Sequence, residues 1–301
     1  MKNSYAVLWI TALIFISAPL QTRAQSSAQY KQEMDKWYRG RESYLRSASG
    51  WLNLAGLYWL RPGNNSFGSD SVNTLVFRHP AMPGKAGDFI FRGDTVYWRT
   101  APGVKVLVKD TLLHYGIIFS DAQPSPVILS VGPLTWNIIK RDERMGIRLR
   151  DTASPQVKNF KGLQRFPLDR KWVVKARLEK NNDAGISILN VLGQTNVIAS
   201  PGKLMFTIDG KEYRLDALTE DDQLFIIFGD ATSGKETYAA GRFLYAPLPD
   251  ANGETILDFN QSLNPPCAFS PYATCPLPPP QNILPIAIRA GEKNYAYKAE
   301  K

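Results

Sequence analysis

Cysteine and histidine are scarce in this 301-residue sequence, which contains two of each. A closed zinc site needs four ligands, and His79 and His114 lie far along the chain from both cysteines, so we predict no metal site. Serine-hydrolase chemistry lacks support as well, because it needs a base near the nucleophile and the sequence has no G-x-S-x-G segment. We therefore predict a protein with neither a metal nor a cofactor.

Long apolar runs are equally scarce, and the single one lies in the opening segment "MKNSYAVLWITALIFISAPLQTRAQ". It extends from Ala6 to Leu20, follows Lys2 and precedes small and polar residues, which is the pattern of a secretory signal peptide over residues 1–24. The run is shorter than the about 20 residues that a membrane span needs, and no second run follows. We predict a periplasmic or secreted protein without an integral membrane segment.

The sequence also lacks a block of charge of one sign. Lys and Arg number 36 against 27 Asp and Glu, a formal net charge of +9, but the basic residues are dispersed. The most basic stretch, "IIKRDERMGIRLRD" at residues 138–151, mixes both signs, and we interpret it as a solvated hairpin rather than a strip that binds polyanions. No nucleic-acid partner is predicted.

Helical periodicity occurs almost only in residues 26–46, where one predicted helix face carries Tyr30, Met34, Trp37, Tyr44 and Leu45. The rest of the sequence alternates short runs of β-branched and aromatic residues with Gly, Pro, Asn and Asp, which is typical of sandwiches and barrels. We predict a mainly β fold with an N-terminal helix, a small β-sandwich and a second β-rich domain, barrel-like or sandwich-like.

The predicted boundaries follow changes in this pattern. We place the helix in residues 25–49, the sandwich in 50–151, a connector in 152–169 and the second β-rich domain in 170–301. In layout, residues 50–151 resemble a β-sandwich of the forkhead-associated type. That family binds phosphothreonine through an Arg after an early Gly, whereas Ser69 follows Gly68 here, so phosphopeptide binding is not implied.

The two cysteines, Cys267 and Cys275, lie in the proline-rich loop of residues 264–280, "NPPCAFSPYATCPLPPP". An even pair this close in an exported protein predicts a disulfide. The prolines remove backbone donors, so the loop cannot be a central strand. We interpret it as a rigid cover over the core, with a wall of a ligand pocket as the alternative.

The segment "LFIIFGDATSGKETY" at residues 224–238 imitates a phosphate-binding loop. Such a loop needs Ser or Thr directly after its Lys and a helix behind it, but Glu236 follows Lys235 and the next residues favour a strand. We predict instead a β-hairpin with its turn at Thr232 to Glu236.

Three longer motifs carry a family resemblance. "GDATSGKETYAAGRFLY", "LDFNQSLNPPCAFSPYATCPLPPPQN" and the opening "GWLNLAGLYWLRPGNNSFGS" resemble the bacterial domain of unknown function number 1684, over about residues 37–293. The resemblance implies that the C-terminal motifs act as one unit, and it implies no particular reaction.

Polar residues concentrate in the last quarter of the chain. Arg242 lies between Ala240 and Leu244 on one face of a predicted strand, so it is expected to be partly buried and to need a carboxylate. Asp258 is one predicted partner and Asp230 the other. Alternatively, Arg242 forms a fork for an anionic ligand.

We predict first a binding module for a small molecule, such as an anion. The predicted ligand-binding residues are Arg242, Tyr238, Thr232, Asn260 and Tyr272. The second hypothesis is a hydrolase that uses paired carboxylates from among Asp230, Asp258 and Glu292. The third is a structural or partner-binding protein, which predicts an exposed apolar patch. The sequence does not distinguish an enzyme from a binding protein.

Overall fold

The computed structural model describes residues 26–122, 125–181 and 185–295. The predicted signal peptide, residues 1–24, lies outside the described residues. In the described residues the fold is mainly β, as predicted, with one long helix and several mostly antiparallel sheets. In the described part of the chain, no helix is both long and apolar enough to cross a membrane.

Helix α1 (Ser27–Arg46) precedes all strands. Ser26 caps it, because its side chain accepts a hydrogen bond from the Gln29 amide at 3.1 Å. Tyr30, Met34 and Tyr38 recur every fourth residue and are buried, so one face of the helix packs against the C-terminal half. The predicted helix is confirmed, although Tyr44 is 40% exposed, since it lies off this buried face.

Eleven strands between Leu54 and Asp151 form two sheets. Their bounds are β1 (Leu54–Trp59), β2 (Gly63–Gly68), β3 (Leu75–Val76), β4 (Gly87–Arg92), β5 (Thr95–Thr100), β6 (Leu107–Val108), β7 (Thr111–Leu112), β8 (Tyr115–Phe119), β9 (Leu129–Val131), β10 (Leu134–Arg141) and β11 (Arg144–Asp151). The strand orders are β1-β11-β10-β9-β6-β7 and β3-β2-β4-β5-β8.

The two sheets face each other across an aromatic core. Phe67 and Trp98 come from the five-stranded sheet and Trp136 from the six-stranded one, and each of the first two rings lies 5.6 Å from the Trp136 ring. Alternate residues of β11, namely Met145, Ile147 and Leu149, point into this core. The predicted small β-sandwich is therefore confirmed.

A short helix, α2 (Pro155–Asn159), follows the sandwich and is capped by Ser154. The remaining strands are β12 (Val173–Lys180), β13 (Ile186–Leu189), β14 (Thr195–Ile198), β15 (Gly202–Ile208), β16 (Lys211–Glu220), β17 (Gln223–Phe228), β18 (Arg242–Pro247) and β19 (Glu254–Asp258). Single 3-10 turns cover Arg170–Trp172, Phe259–Gln261, Pro266–Ala268 and Pro280–Asn282.

Six of these strands form a strongly curved sheet in the order β18-β17-β16-β15-β12-β19. The two edge strands approach each other, and Thr255 of β19 donates a hydrogen bond to the Pro247 carbonyl of β18 at 2.8 Å. The sheet is thus a nearly closed barrel, filled by side chains such as Phe206, Phe228 and Phe259. The barrel form of the second β-rich unit is confirmed.

The connection between β17 and β18 differs from the prediction. The two strands pair antiparallel, as a hairpin requires, but β18 begins only at Arg242 and residues 229–241 form a long folded loop. Within this loop, the side-chain hydroxyls of Thr232 and Thr237 form a hydrogen bond. The loop folds on itself and does not continue the pairing of β17 with β18. No helix follows Lys235 in this fully described loop, so the segment is not a phosphate-binding loop.

Candidate ligand-binding cleft

Arg242, the first predicted ligand-binding residue, is 1% exposed at the end of the barrel. Its Nη2 donates to Asp230 Oδ2 at 2.5 Å and to the Ile288 carbonyl oxygen at 3.0 Å, while Nη1 donates to the Ala290 carbonyl. Burial lowers the pKa of Arg242, and the carboxylate of Asp230 opposes that shift. The predicted ion pair between Arg242 and Asp258 is wrong, because the guanidinium of Arg242 pairs with the Asp230 carboxylate instead.

Asp258 holds helix α1 in place. Both of its carboxylate oxygens accept the Tyr30 hydroxyl, at 3.0 and 2.8 Å, and Oδ1 also accepts the Asn260 amide at 3.0 Å. Asn260 is buried, and its side chain bonds to the backbone of Asp169 in both directions. Both predicted site residues therefore connect the helix and the connector to the barrel.

Glu292 is fully buried and bonds to Arg41 of α1, whose Nε lies 3.0 Å from Glu292 Oε1. The Asn264 amide donates to the other carboxylate oxygen at 2.8 Å. Burial raises the pKa of Glu292, and Arg41 counteracts this rise. The three predicted catalytic carboxylates, Asp230, Asp258 and Glu292, thus serve three separate partners and do not pair across one cleft.

The other predicted ligand-binding residues also have structural contacts. Thr232 is buried and donates to Asp230 Oδ1 at 2.6 Å. Tyr238 packs against the buried cluster that contains Phe269. Tyr272 is 37% exposed in the proline-rich loop. None of the five predicted residues lines the cleft described next, and their binding of a ligand stays a prediction.

A cleft of about 510 Å³ lies where the sandwich, helix α1, the barrel wall and the proline-rich loop meet. Its charged and aromatic lining residues include Arg41, Arg141, Arg148, Trp51, Phe225 and Tyr245. A larger groove of about 840 Å³ follows the other side of α1, but Asp258 in its lining is already bonded to Tyr30. The smaller cleft differs because two of its guanidinium groups, those of Arg141 and Arg148, have no counter-ion among the described residues.

Strand alternation places these cationic groups in the cleft. Since Ile147 and Leu149 of β11 point into the sandwich core, Arg148 and Arg150 lie on the opposite face. In the antiparallel β10, Trp136 and Ile138 point inward in the same way, so Arg141 lies on the outer face with Arg148. The tight turn at Asp142, with φ of 51°, joins the two strands.

Arg148 is half-buried and forms no ion pair with any described residue. Its Nε is buried without a hydrogen-bond partner among the described residues, and its guanidinium lies 5.7 Å from the centre of the Trp51 ring. Burial, together with the neighbouring charges of Arg141 and Arg150, lowers the pKa of Arg148 to about 10. The fold therefore holds an uncompensated cation in a partly dry site, which is costly unless something else neutralises it.

In the described part of the chain, the neighbouring Arg141 and Arg150 have neutral hydrogen-bond partners. Arg141 Nε donates to Thr274 Oγ1 at 3.0 Å, and Arg150 donates to Asn53 Oδ1 at 2.8 Å. Burial lowers the pKa of both guanidiniums. Arg41 at the cleft edge is different, because Glu292 already compensates its charge.

The proline-rich loop forms one wall of this cleft. The structure contains the predicted disulfide between Cys267 and Cys275, and Cys275 lines the cleft together with Thr274. The hydrogen bond from Arg141 to Thr274 links this loop to the sandwich. The alternative interpretation of the loop, as a wall of a pocket, is the one that the geometry favours.

Metal coordination has no support in the residues that the structure describes. Within residues 26–122, 125–181 and 185–295, no group of three or more His, Cys, Asp or Glu side chains could hold a metal ion. Glu220 is the one carboxylate among the described residues that line the cleft, and guanidinium groups such as those of Arg141 and Arg148 do not coordinate cations.

Sequence reasoning missed Arg141 and Arg148 because it treated residues 138–151 as a solvated hairpin. The signal was the alternation in "MGIRLRD", where Arg148 and Arg150 occupy every second position. That spacing places both arginines on one face of the strand. What covers the arginine face depends on the barrel and the loop, which the alternation does not show.

The fold and the cleft define a β-rich protein with a cationic cleft between a sandwich and a barrel. Residues 158–293 match the model of the family described as Protein of unknown function (DUF1684). The match includes the barrel and the proline-rich loop, whereas Arg141 and Arg148 precede it.

Among solved structures, the chain is similar to an uncharacterized protein of Haloarcula marismortui studied by solution NMR, with 32% identity. The similarity covers 46% of this chain and 80% of that one, with a TM-score of 0.39. No curated protein matches the chain significantly.

Proposed function

We propose that the protein binds a small anionic ligand in the cleft between the sandwich and the barrel. The observation that carries this proposal is Arg148, a half-buried guanidinium without a counter-ion among the described residues and with a buried Nε that lacks an acceptor. A bound carboxylate or phosphate would supply both the charge and the missing acceptor.

Arg141 supports the same proposal. It lies close enough to Arg148 to lower the pKa of that residue, and its own hydrogen bonds go to Thr274 and to a backbone carbonyl. Two adjacent guanidiniums can share one anion with a geometry that a single lysine cannot offer. By contrast, the geometry favours a structural role for Arg242, and no observation favours a hydrolase that uses Asp230, Asp258 or Glu292.

Isothermal titration calorimetry with acetate and inorganic phosphate, at low ionic strength, tests the proposal. We expect wild type to bind at least one of them and Arg148→Met to lose at least tenfold in affinity. Arg144→Met is the matched control: it removes the same charge from the same strand, but Arg144 contacts Trp59 outside the cleft. Equal losses in both variants, or no binding by wild type, would overturn the proposal.

We also propose that the protein is exported to the periplasm or secreted. The signal-peptide pattern in residues 1–24 supports export, and a disulfide between Cys267 and Cys275 suits an oxidising compartment. Fractionation of expressing bacteria, followed by N-terminal sequencing, tests this. A chain that begins near Gln25 outside the cytoplasm is expected, and an intact cytoplasmic chain that retains Met1 would contradict it.

A further inference from the structure

The cleft offers more room than an inorganic anion needs. Its volume of about 510 Å³ lies within the roughly 300–1,000 Å³ typical of sites for small organic molecules. The arginines occupy only one part of the lining, so the rest of the volume leaves room for an uncharged part of a ligand. The composition of the remaining walls then indicates what that part is.

The barrel wall of the cleft is a row of aromatic rings. The Phe225 and Tyr245 rings, on paired positions of β17 and β18, stack at 5.0 Å with an interplanar angle of 23°. Phe243 meets the Phe225 ring edge-on at 4.9 Å. These side chains point away from the barrel interior, because Ile226 and Leu244 between them point into it.

The sandwich contributes a further aromatic ring beside the charge. Trp51 lies 5.7 Å below the guanidinium of Arg148 and 5.4 Å below that of Arg150. Aromatic rings therefore border the cationic end as well as the barrel wall. Rings of this kind favour flat, aromatic partners over aliphatic ones, because stacked and edge-on contacts add to the burial of area.

Glu220 limits the negative charge that a ligand in the cleft can carry. This exposed carboxylate lines the cleft and accepts the Tyr245 hydroxyl at 3.2 Å. Burial, together with the charge of Glu220, raises the pKa of Tyr245. A second anionic group beside Tyr245 would meet the like charge of Glu220, so a ligand with one anionic end fits better than one with two.

From these observations we infer that the cleft binds an aromatic organic anion with a single anionic group, which Arg148 and Arg141 hold while its ring lies against Phe225 and Tyr245. This inference rests on the proposed anion site and adds the class of ligand. Both guanidiniums and both rings line the same cleft.

A calorimetric series on the wild-type protein tests the class of ligand. The probes are acetate, cyclohexanecarboxylate, 2-naphthoate and naphthalene-2,6-dicarboxylate. We expect 2-naphthoate to bind at least tenfold more tightly than acetate and several-fold more tightly than the other two probes. If acetate or cyclohexanecarboxylate binds as tightly as 2-naphthoate, the aromatic inference is overturned while the anion proposal stands. A dicarboxylate that binds as tightly as 2-naphthoate overturns the limit to one anionic group.

Substitutions at the aromatic wall and at the arginine separate the contribution of the rings to binding from that of the charge. Phe225→Leu keeps an apolar side chain and should weaken 2-naphthoate about fivefold with no change for acetate. Tyr245→Leu is the second ring variant, should Phe225→Leu fail to fold. Arg148→Met should weaken both ligands. If 2-naphthoate binds Arg148→Met as tightly as wild type, neither the anion site nor the aromatic inference survives, because the binding is then plain apolar adsorption.

Discussion

Arg242 and Arg148 are both desolvated arginines on β-strands, and the fold treats them in opposite ways. Arg242 has a carboxylate at 2.5 Å and two carbonyl oxygens around it, at the sealed end of the barrel. Arg148 has an aromatic ring and two further arginines around it, at the edge of an open cleft. Each side chain has a buried Nε without a hydrogen-bond partner among the described residues. The charge of Arg242 is nevertheless paired with Asp230, whereas that of Arg148 has no counter-ion among the described residues.

The difference shows that burial by itself does not identify a binding residue. Desolvation lowers the pKa of both arginines. The counter-ion distinguishes them, because Asp230 stabilises the charged form of Arg242 and no described carboxylate forms an ion pair with Arg148. A ligand site is therefore indicated where the protein desolvates a charge that its own groups do not neutralise.

The largest expected effect concerns Arg242. Arg242→Met leaves the buried carboxylate of Asp230 without its counter-ion, so we expect the free energy of unfolding to fall by about 3–5 kcal/mol. Urea unfolding followed by circular dichroism measures it. The double variant Arg242→Met/Asp230→Asn should recover part of the loss, since it also removes the unpaired charge. A variant that unfolds like wild type but no longer binds anions would reverse the roles of the two arginines.

The next effect concerns the loop that walls the cleft. Replacing both Cys267 and Cys275 by Ser opens a short closed loop, which should lower the free energy of unfolding by about 2.5 kcal/mol. Because Cys275 and Thr274 line the cleft, anion affinity should fall too. Thermal unfolding and calorimetry measure the two effects. Unchanged affinity would show that the loop covers the core without shaping the site.

The smallest effect on the free energy of unfolding concerns Arg148, and here we expect the substitution to stabilise the fold. The folded-state pKa of about 10 lies below the ordinary value of 12.5, so between these values the unfolded chain binds more protons and stability rises with pH. At neutral pH the charged side chain therefore destabilises the fold. Arg148→Met should raise the free energy of unfolding by about 1 kcal/mol, after allowance for solvent screening.

Urea unfolding at neutral pH measures this change, with Arg144→Met as the control, because that side chain is exposed on the same strand. The control should lower the free energy of unfolding by about 0.5–1 kcal/mol at most, because it removes an exposed contact between the guanidinium and the Trp59 ring. A large loss of stability in Arg148→Met would mean that this residue, like Arg242, has a structural role.

Much of the fold could be predicted from local patterns. The spacing of Tyr30 and Met34 predicted the buried face of α1. The Asp209-Gly210 pair is a two-residue hairpin signal, and both residues have positive φ in the turn between β15 and β16. The proximity of Cys267 and Cys275 predicted the disulfide. Each of these depends on neighbours along the chain, which is why the sequence suffices for them.

The partners of charged groups could not be predicted in the same way. Asp230 and Asp258 are both near Arg242 in sequence, and the choice between them depends on the loop of residues 229–241, which returns Asp230 to the guanidinium. Asp258 instead meets Tyr30, which is 228 positions away. Sequence distance does not determine which carboxylate lies within hydrogen-bond reach.

The sequence by itself determined the mainly β character, the N-terminal helix, the disulfide and the shared face of Arg148 and Arg150, because periodicity and chain connectivity are local properties. Only the tertiary structure decided that this arginine face borders a cleft that Tyr44, Phe225 and the proline-rich loop also line. The physical reason is that the cost of a charge depends on the solvent and counter-ions within a few ångströms, and packing of distant segments sets both.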